Sequence, residues 1–283
     1  MGRIDDVQTI ANCVIRTQQI HEGDWFEGEV LYCGQCREPR REYIDVKDGK
    51  LFVTRMCKCE RDAYDNEKKR REDEEREMRL ARNRENSGIE KAYEDADLKS
   101  FDVQTENRGA YNLAKNYVAQ FPEILERNQG LLFWGDVGTG KTYTASVIGN
   151  ELLAKGRTVY AISLANLFQK VGGYNNEQEE ELMERVRNVD LLILDDLGTE
   201  RSTDFAAEKV YAVIDARYKA SKPVIYTTNM TLAEMKGAAD MRQKRLYDRI
   251  FQTCFPLQFT GQSRRMNEAR DRYADMLALT KVS

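Results

Sequence analysis

An unbroken phosphate-binding pattern occupies eight consecutive residues, Gly135-Asp136-Val137-Gly138-Thr139-Gly140-Lys141-Thr142. It matches G-x-x-x-x-G-K-[S/T], in which the glycines let backbone amides turn toward the phosphates of a nucleotide. Lys141 is expected to reach the β- and γ-phosphates of ATP, and the Thr142 hydroxyl is expected to bind Mg²⁺. An apolar run precedes the pattern and a helix-forming run follows it, so the β-phosphate would lie at a helix N-terminus. A chance glycine-rich turn, the alternative, would not require these flanks.

Two acidic residues follow a second apolar run, Leu191-Leu192-Ile193-Leu194. This is the Walker B arrangement, in which Asp195 would hold Mg²⁺ directly or through water and Asp196 would orient or deprotonate the attacking water. The alternative is an acidic surface turn after a core strand. Aspartate is shorter than the glutamate that is common at the second position, so the base role of Asp196 follows less directly than the metal role of Asp195.

A third apolar run, Val224–Thr228, is followed by Asn229. If this run forms a strand beside the other two, Asn229 can hydrogen-bond the γ-phosphate or the attacking water. An asparagine at a strand end commonly forms a turn or a helix cap. Because Asn229 follows the third strand of this series, a role as a polar sensor of the γ-phosphate is favoured over a turn or a helix cap.

Arginines in the C-terminal runs MRQKRLYDRI and GQSRR are candidates for the cation that completes the site. An arginine near the γ-phosphate neutralises the charge that develops in phosphoryl transfer, and it can come from a neighbouring subunit. An arginine supplied in this way by a neighbouring subunit is called an arginine finger. Arg249 is the first choice for it, with Arg245 second. Arg265 is the first choice for a contact to ATP within its own subunit, with Arg264 second. Spacing alone leaves open that these are ordinary surface arginines.

Four of the six cysteines form two close pairs, Cys33/Cys36 and Cys57/Cys59. Together they can supply four thiolates for tetrahedral Zn²⁺. A small, highly charged module has too few apolar residues to form a stable core without a cross-link such as a bound metal ion. Two reduced, unbound pairs or a redox-active dithiol remain the alternatives, and the spacing favours zinc.

The elements that must position these residues follow from the apolar pattern of residues 100–283. Segments of helical length separate the short apolar runs, and the first such segment is Tyr143–Leu153. Strands joined by crossover helices build a parallel sheet with helices on both faces, which predicts an α/β fold. The five predicted strands are Gly130–Trp134, Thr158–Ser163, Leu191–Leu194, Val224–Thr228 and Pro256–Phe259.

Composition divides the chain into three zones. Residues 1–59 hold the paired cysteines and are expected to form the zinc-binding module. Residues 60–99 are dominated by charge, with opposite signs at spacings of three and four, and are expected to form a solvated helical linker that breaks at Asn86-Ser87-Gly88. Residues 100–283 are expected to be the ATPase domain. The balanced signs in the second zone argue against a basic arm for nucleic acid.

The overall charge and apolar content exclude some classes of function. The net charge is −4, so binding to nucleic acid would need a local basic patch. No apolar run approaches the roughly 20 residues needed to span a bilayer, and the N-terminal sequence lacks a signal-peptide pattern. We therefore expect a cytoplasmic protein with no membrane partner.

The ordered set of motifs resembles the DnaC/DnaI helicase loaders and the related IstB-type ATPases, which belong to the AAA+ superfamily. The segments that carry the resemblance are the Walker A pattern, LLILDDLGTE, PVIYTTNM, RLYDRI and GQSRR. It implies a five-stranded parallel sheet of order 5-1-4-3-2. It also carries the AAA+ roles given above onto Lys141, Thr142, Asp195, Asp196, Asn229, Arg249 and Arg265.

The resemblance implies a function. Such proteins bind a hexameric replicative DNA helicase through the N-terminal, zinc-bearing domain and deposit it on single-stranded DNA during replication initiation. It also implies an ATP-dependent spiral or ring of subunits that grips DNA near LANLFQKVGGY, residues 164–174. There Lys170 is a candidate for DNA contact and Tyr174 for stacking, whereas Phe168 is expected in the core. The chain reaches only Ser283 after the last predicted strand, so we expect no full α-helical lid and assembly on a partner or on DNA.

Two other functions remain open at this point. An IstB-like helper of a DNA transposase would share the ATPase core but bind duplex DNA, and the zinc module speaks against it. A nucleotide-dependent helicase adaptor with little hydrolysis would belong to a different class.

Overall fold

The structure is a computed structural model. It describes residues 20–46, 49–173, 175–198, 204–266, 269–270, 272–273 and 276. The chain divides between residues 77 and 78 into two compact units. The C-terminal unit holds the phosphate-binding pattern, and the N-terminal unit holds the paired cysteines.

A five-stranded parallel sheet forms the centre of the C-terminal unit. When its strands are numbered 1 to 5 in chain order within the unit, their spatial order is 2-3-4-1-5. This confirms the expected order 5-1-4-3-2. The five predicted strands are also confirmed, with ends that differ by up to three residues. The strands are β5 (Gly130–Gly135), β6 (Val159–Ser163), β7 (Leu191–Leu197), β8 (Val224–Thr228) and β9 (Cys254–Phe259).

Helices cover both faces of this sheet because β5, β6, β7 and β8 are largely apolar on both sides. One face buries Phe121, Ile148 and Leu152, and the other buries Leu167, Val186 and Ile214. The helices described in this unit are α2 (Arg108–Ala119), α3 (Phe121–Glu126), α4 (Lys141–Ala154), α5 (Leu164–Gly173), α6 (Asn176–Asn188), α7 (Asp204–Lys219), α8 (Leu232–Lys236) and α9 (Met241–Thr253).

The charged zone is helical over α1 (Lys58–Glu85), which confirms a helix there. Arg70 bonds Glu67 and Glu74 at the expected spacings. The helix ends at Glu85, directly before the predicted break, and a single 3-10 turn, Lys91–Tyr93, follows.

Residues 87–101 pack on the sheet and on α4. The backbone oxygen of Ser87 accepts from the amide of Ala161 on β6 at 2.7 Å. Asn150 donates to the carbonyl oxygens of Tyr93 and Ala96, both at 2.8 Å. Phe101 is buried beside α4. These residues were expected to belong largely to a solvated linker, and the structure places them against the sheet and α4 of the C-terminal unit.

The N-terminal unit contains a four-stranded antiparallel sheet that was not predicted. Its strands, in spatial order, are β1 (Trp25–Glu27), β2 (Val30–Tyr32), β3 (Pro39–Val46) and β4 (Gly49–Thr54). The signal for β3 and β4 was present in the sequence, since Asp48-Gly49 lies between two alternating apolar runs.

Within the part of the chain that the structure describes, no helix is both long and apolar enough to cross a bilayer.

Candidate nucleotide site and cysteine cluster

The phosphate-binding pattern forms the turn between β5 and α4. Gly138 has φ of 81°, and a Cβ there would lie 2.1 Å from Oγ of Ser263, so only glycine fits. Gly140 caps α4 with φ of 97°. The first amides of α4 have no partner within the helix, which leaves them available to a phosphate at the helix N-terminus.

Lys141 is the first residue of α4, and its side chain is almost fully buried. Its Nζ donates to the carbonyl oxygens of Gly135 (2.8 Å) and Asp136 (2.7 Å) and to Oδ1 of Asn229 (2.9 Å). Burial lowers the pKa of Lys141, and the nearby carboxylates of Asp196 and Asp195 oppose that shift. The structure thus brings Lys141 and Asn229, which are 88 residues apart, into direct contact.

Thr142 and Asp195 meet at the neighbouring strand end. The Thr142 hydroxyl donates to Oδ1 and Oδ2 of Asp195 at 2.9 and 3.2 Å. The pKa of Asp195 is raised above its usual value because the carboxyl group is buried. Hydrogen bonds from Thr227 and Thr142 oppose part of this shift. A hydroxyl and a carboxylate that share one position form an oxygen donor set of the kind that Mg²⁺ prefers, so the residues present fit the expected ion.

A cleft of about 700 Å³ opens over these groups. The predicted residues that line it are Val137, Gly138, Gly140, Lys141, Thr142, Asp196, Asn229, Arg264 and Arg265. Tyr93, Asp102 and Tyr143 line it too, and sequence reasoning did not single them out. No signal could have marked Tyr93, because it lies in the zone whose composition predicts a linker.

Both arginines of the GQSRR run reach this cleft. Arg264 donates from its backbone to the oxygen of Gly138 (3.0 Å) and from Nη2 to the oxygen of Asp102 (3.2 Å). A hydrogen bond with Tyr93 raises the pKa of Arg265, and the carboxylates of Asp196 and Asp195 act in the same direction. Arg265 and Asp196 thus line the same cleft.

Arg249 lies elsewhere, on α9. Its Nη1 is 2.5 Å from Oδ1 of Asp215 on α7, and its guanidinium lies 5.0 Å from the ring centre of Tyr211 and 5.3 Å from that of Tyr218. Arg245 is exposed on the same helix. Neither arginine is among the described residues that line the cleft of its own chain.

The segment expected to approach DNA is helix α5. Phe168 packs, partly buried, against the core, as expected. Lys170 lies 6.0 Å above the ring of Tyr160 and lines a small cavity that also contacts Thr142 and Asp195. Tyr174 lies outside the described residues.

The four paired cysteines converge in the N-terminal unit. The sulfur atoms of Cys33, Cys36, Cys57 and Cys59 all lie within 4.8 Å of one another. Cys33 and Cys36 lie on the turn after β2, where the amide of Arg37 donates to the oxygen of Cys33 at 2.9 Å. Four sulfurs at Zn–S distances of about 2.3 Å need comparable separations, so this donor set fits Zn²⁺.

Backbone amides and burial shift the pKa values of three of the clustered cysteines in opposite directions. The amides of Cys59 and Glu38 lower the pKa of Cys36 to about 6. Burial raises the pKa of Cys57 to about 12 and that of Cys59 to about 11. A divalent cation would compensate the repulsion of four thiolates held this closely.

Buried ion pairs hold the cluster's surroundings in place. Arg40 is buried and forms ion pairs with Asp24 and Glu60. Glu38 accepts from the amide of Lys58 at 2.8 Å and so caps the start of α1. The cysteine pairs are thereby fixed to both the small sheet and the helix.

Comparison with known proteins extends these observations. The family described as IstB-like ATP binding protein matches residues 64–272. The replicative helicase loader DnaC of Escherichia coli K12 is 29% identical over 168 residues, which is 58% of this chain and 67% of that protein.

Two solved structures are similar. The crystal structure of the DnaC helicase loader is 26% identical with a TM-score of 0.53, covering 60% of this chain and 100% of that one. The crystal structure of DnaI is 24% identical with a TM-score of 0.51, covering 60% of this chain and 90% of that one, and supports the fold alone. The family match contains every predicted residue of the nucleotide site and none of the four clustered cysteines.

Proposed function

The chain belongs to the family of IstB-like ATP-binding proteins, and on that premise we propose that it is an ATP-dependent loader of a hexameric replicative DNA helicase. The loader would bind the helicase and deposit it on single-stranded DNA during replication initiation. The observation that carries the ATP-dependent part is the convergence of Lys141, Thr142, Asp195 and Asn229 at one edge of the sheet. Similarity to a relative named as a replicative helicase loader supports the choice of partner.

ATP hydrolysis to ADP and phosphate is the proposed reaction. The loop of residues 135–142 binds the phosphates, and Lys141 neutralises charge on the β- and γ-phosphates. Asp196 orients or deprotonates the attacking water, Asn229 contacts that water or the γ-phosphate, and Arg265 contacts ATP. The hydrogen bond between Lys141 and Asn229 favours a role for Asn229 as a sensor of the γ-phosphate, because a movement of the Lys141 side chain would also move Asn229.

Mg²⁺ would be held by Thr142 and Asp195 when bound. It would supply charge neutralisation for the phosphates. Asp195 already accepts hydrogen bonds from two threonine hydroxyls, and this network fixes its carboxylate before a cation arrives.

The finger that completes the site is proposed to be Arg249 of a neighbouring subunit in a spiral or ring. The ion pair with Asp215 and the two tyrosine rings hold its guanidinium in one direction against α7, with the side chain 26% exposed. Such preorganisation lowers the entropy cost of placing a long side chain at a subunit boundary. Arg245 is the second candidate on the same helix.

Residues 1–59 are proposed to be a zinc-binding module that contacts the helicase, residues 60–99 a helical linker and residues 100–283 the AAA+ domain. Zn²⁺ would be held by Cys33, Cys36, Cys57 and Cys59, and its role would be structural. Lys170 is proposed as one contact to single-stranded DNA, since it places a positive charge on an exposed part of α5.

Native mass spectrometry of the full chain with the replicative helicase of its host, with and without ATP, tests this proposal. We expect a defined complex of several copies on one helicase hexamer. Lys141→Ala should alter the nucleotide-dependent species only. Absence of a complex under every condition would refute the loader and leave the ATPase assignment standing.

A helper of a DNA transposase is the second candidate, and the family description, IstB-like, favours it. The two functions differ in the nucleic acid that stimulates hydrolysis. Stimulation by single-stranded DNA together with helicase supports the loader, whereas stimulation by duplex DNA alone supports the helper.

A further inference from the structure

A one-residue bulge interrupts the pairing of β7 and β8 at the acidic pair. Leu194 lies opposite Tyr226 and Leu197 lies opposite Thr228, so two residues of β7 face the single residue Thr227. The pairing of β7 with β6 continues to Asp195. The irregularity therefore lies on one side of β7 and includes Asp195 and Asp196.

The bulge has a consequence for the direction of the two carboxylates. Consecutive side chains of a regular strand point to opposite faces of the sheet. Here Asp195 bonds Thr142, Asp196 lines the cleft, and both carboxylates act on the pKa of Lys141. Asp196 has φ of 59°, in the left-handed region that few residues other than glycine, asparagine and aspartate adopt.

Thr227 bonds both halves of the bulge. Its hydroxyl accepts a hydrogen bond from the backbone amide of Asp196 at 3.0 Å and donates one to Oδ1 of Asp195 at 2.5 Å. Thr227 is fully buried, and the next residue, Thr228, donates to the oxygen of Leu197 at 2.6 Å. One hydroxyl thus links the backbone of one acidic residue to the carboxylate of the other.

We propose that Thr227 is a positioning residue for ATP hydrolysis, whose hydroxyl holds the bulge that turns Asp195 and Asp196 toward the same cleft. The inference rests on the proposed ATPase activity. Thr227 is not among the residues that line the cleft, and it acts through the two aspartates that its hydroxyl bonds. Its loss should therefore affect turnover and the Mg²⁺ requirement, whereas ATP binding through Lys141 and the loop amides should persist.

The test compares Thr227→Val, which keeps the shape and removes the hydroxyl, with Thr227→Ser, which keeps the hydroxyl. Thr158→Val is the matched control, because the Thr158 hydroxyl also accepts one backbone amide, that of Asp190, at the opposite edge of the sheet. Steady-state ATPase rates of the full chain with helicase and single-stranded DNA would be measured against ATP and Mg²⁺. Binding of a fluorescent ATP analogue without Mg²⁺ gives the nucleotide affinity.

We expect Thr227→Val to lower kcat about tenfold or more and to raise the Mg²⁺ concentration for half-maximal rate several-fold. Metal-free nucleotide affinity should stay within about twofold. Thr227→Ser and Thr158→Val should remain close to wild type. Wild-type kcat and Mg²⁺ dependence in Thr227→Val would overturn the proposal, as would an equal loss in Thr227→Ser.

Two further outcomes are covered by the design. If Thr227→Val does not fold, the pair Thr227→Ser and Thr227→Ala differs by the hydroxyl alone, and equal rates in that pair would contradict the inference. If the wild-type chain hydrolyses no ATP, the proposed activity fails. The Mg²⁺ dependence of analogue binding then decides the role of Thr227, since an unchanged dependence in Thr227→Val refutes it.

Discussion

Replacing Arg217 with methionine is expected to destabilise the C-terminal unit by about 3–5 kcal/mol. Arg217 on α7 is fully buried, and its two Nη atoms donate to five carbonyl oxygens. The acceptors belong to the end of α6, the start of β7 and the start of β8. They are Val186, Arg187, Val189, Asp190 and Pro223, at 2.7–3.3 Å.

The magnitude follows from what methionine leaves behind. Burial lowers the pKa of Arg217 to about 10, so the side chain remains charged at neutral pH and binds the last carbonyls of α6 as a cation. Three of the five bonds are fully buried, to the oxygens of Val186, Val189 and Pro223. A buried acceptor left without a partner costs about 1–3 kcal/mol. Relief of the buried charge and the burial of the methionine side chain offset part of that cost.

Urea unfolding followed by tryptophan fluorescence measures this loss. The chain has two tryptophans, Trp25 and Trp134. A Trp25→Phe background leaves Trp134 on β5 as the probe of the C-terminal unit. In a unit of this size the melting temperature should fall by about 6–20 °C. Arg187→Met is the control. Arg187 is exposed on the last turn of α6, the turn whose carbonyl oxygens Arg217 binds, and its loss should change the unfolding free energy by less than about 0.5 kcal/mol.

An unfolding free energy of Arg217→Met within about 1 kcal/mol of wild type would refute the reasoning. Equal destabilisation by Arg187→Met would also refute it, since the effect would then come from lost surface charge. The result matters for the site, because Arg217 ties together the starts of the strands whose opposite ends carry Asp195 and Asn229.

Three other outcomes are expected. Elemental analysis of protein purified without chelator should find one zinc per chain, and none in the double variant Cys33→Ser with Cys36→Ser. Metal-free wild-type protein would refute the assignment of the four cysteines as zinc ligands. Arg249→Ala should be inactive alone and regain part of its ATPase activity when mixed with Lys141→Ala, because each supplies what its neighbour lacks; assembled mixtures without recovery would argue against a finger in trans. Asp196→Asn keeps a residue that tolerates φ of 59° and should lower the rate of hydrolysis about 100-fold, the effect of losing a general base, while still binding ATP. Full helicase loading by this variant would favour the adaptor.

The fold of the ATPase unit was largely predictable because its signals are local. Apolar runs ended at polar residues, and crossover connections fixed the strands as parallel. Because the carboxyl ends of parallel strands share one edge, Lys141, Asp195 and Asn229 had to lie near one another. The strand order came from the family resemblance, since periodicity says nothing about which strands are neighbours.

What escaped prediction depends on contacts between distant segments. Thr227 looks like any threonine in a strand, and only the bulge opposite it gives its hydroxyl two partners. Tyr93 reaches the cleft because residues 87–101 pack on α4. The partners of Arg249 come from another helix, so its orientation could not be inferred from the run RLYDRI.

The bond between the oxygen of Ser87 and the amide of Ala161 has a practical consequence for preparing the ATPase unit alone. β6 is one of the two edge strands of the sheet, and exposed edges are templates for aggregation. A fragment that starts at residue 100, the boundary suggested by composition, would uncover this edge and remove the partners of Asn150. A fragment that starts at or before residue 78 keeps both, so we expect it to be the one that stays monodisperse at high concentration.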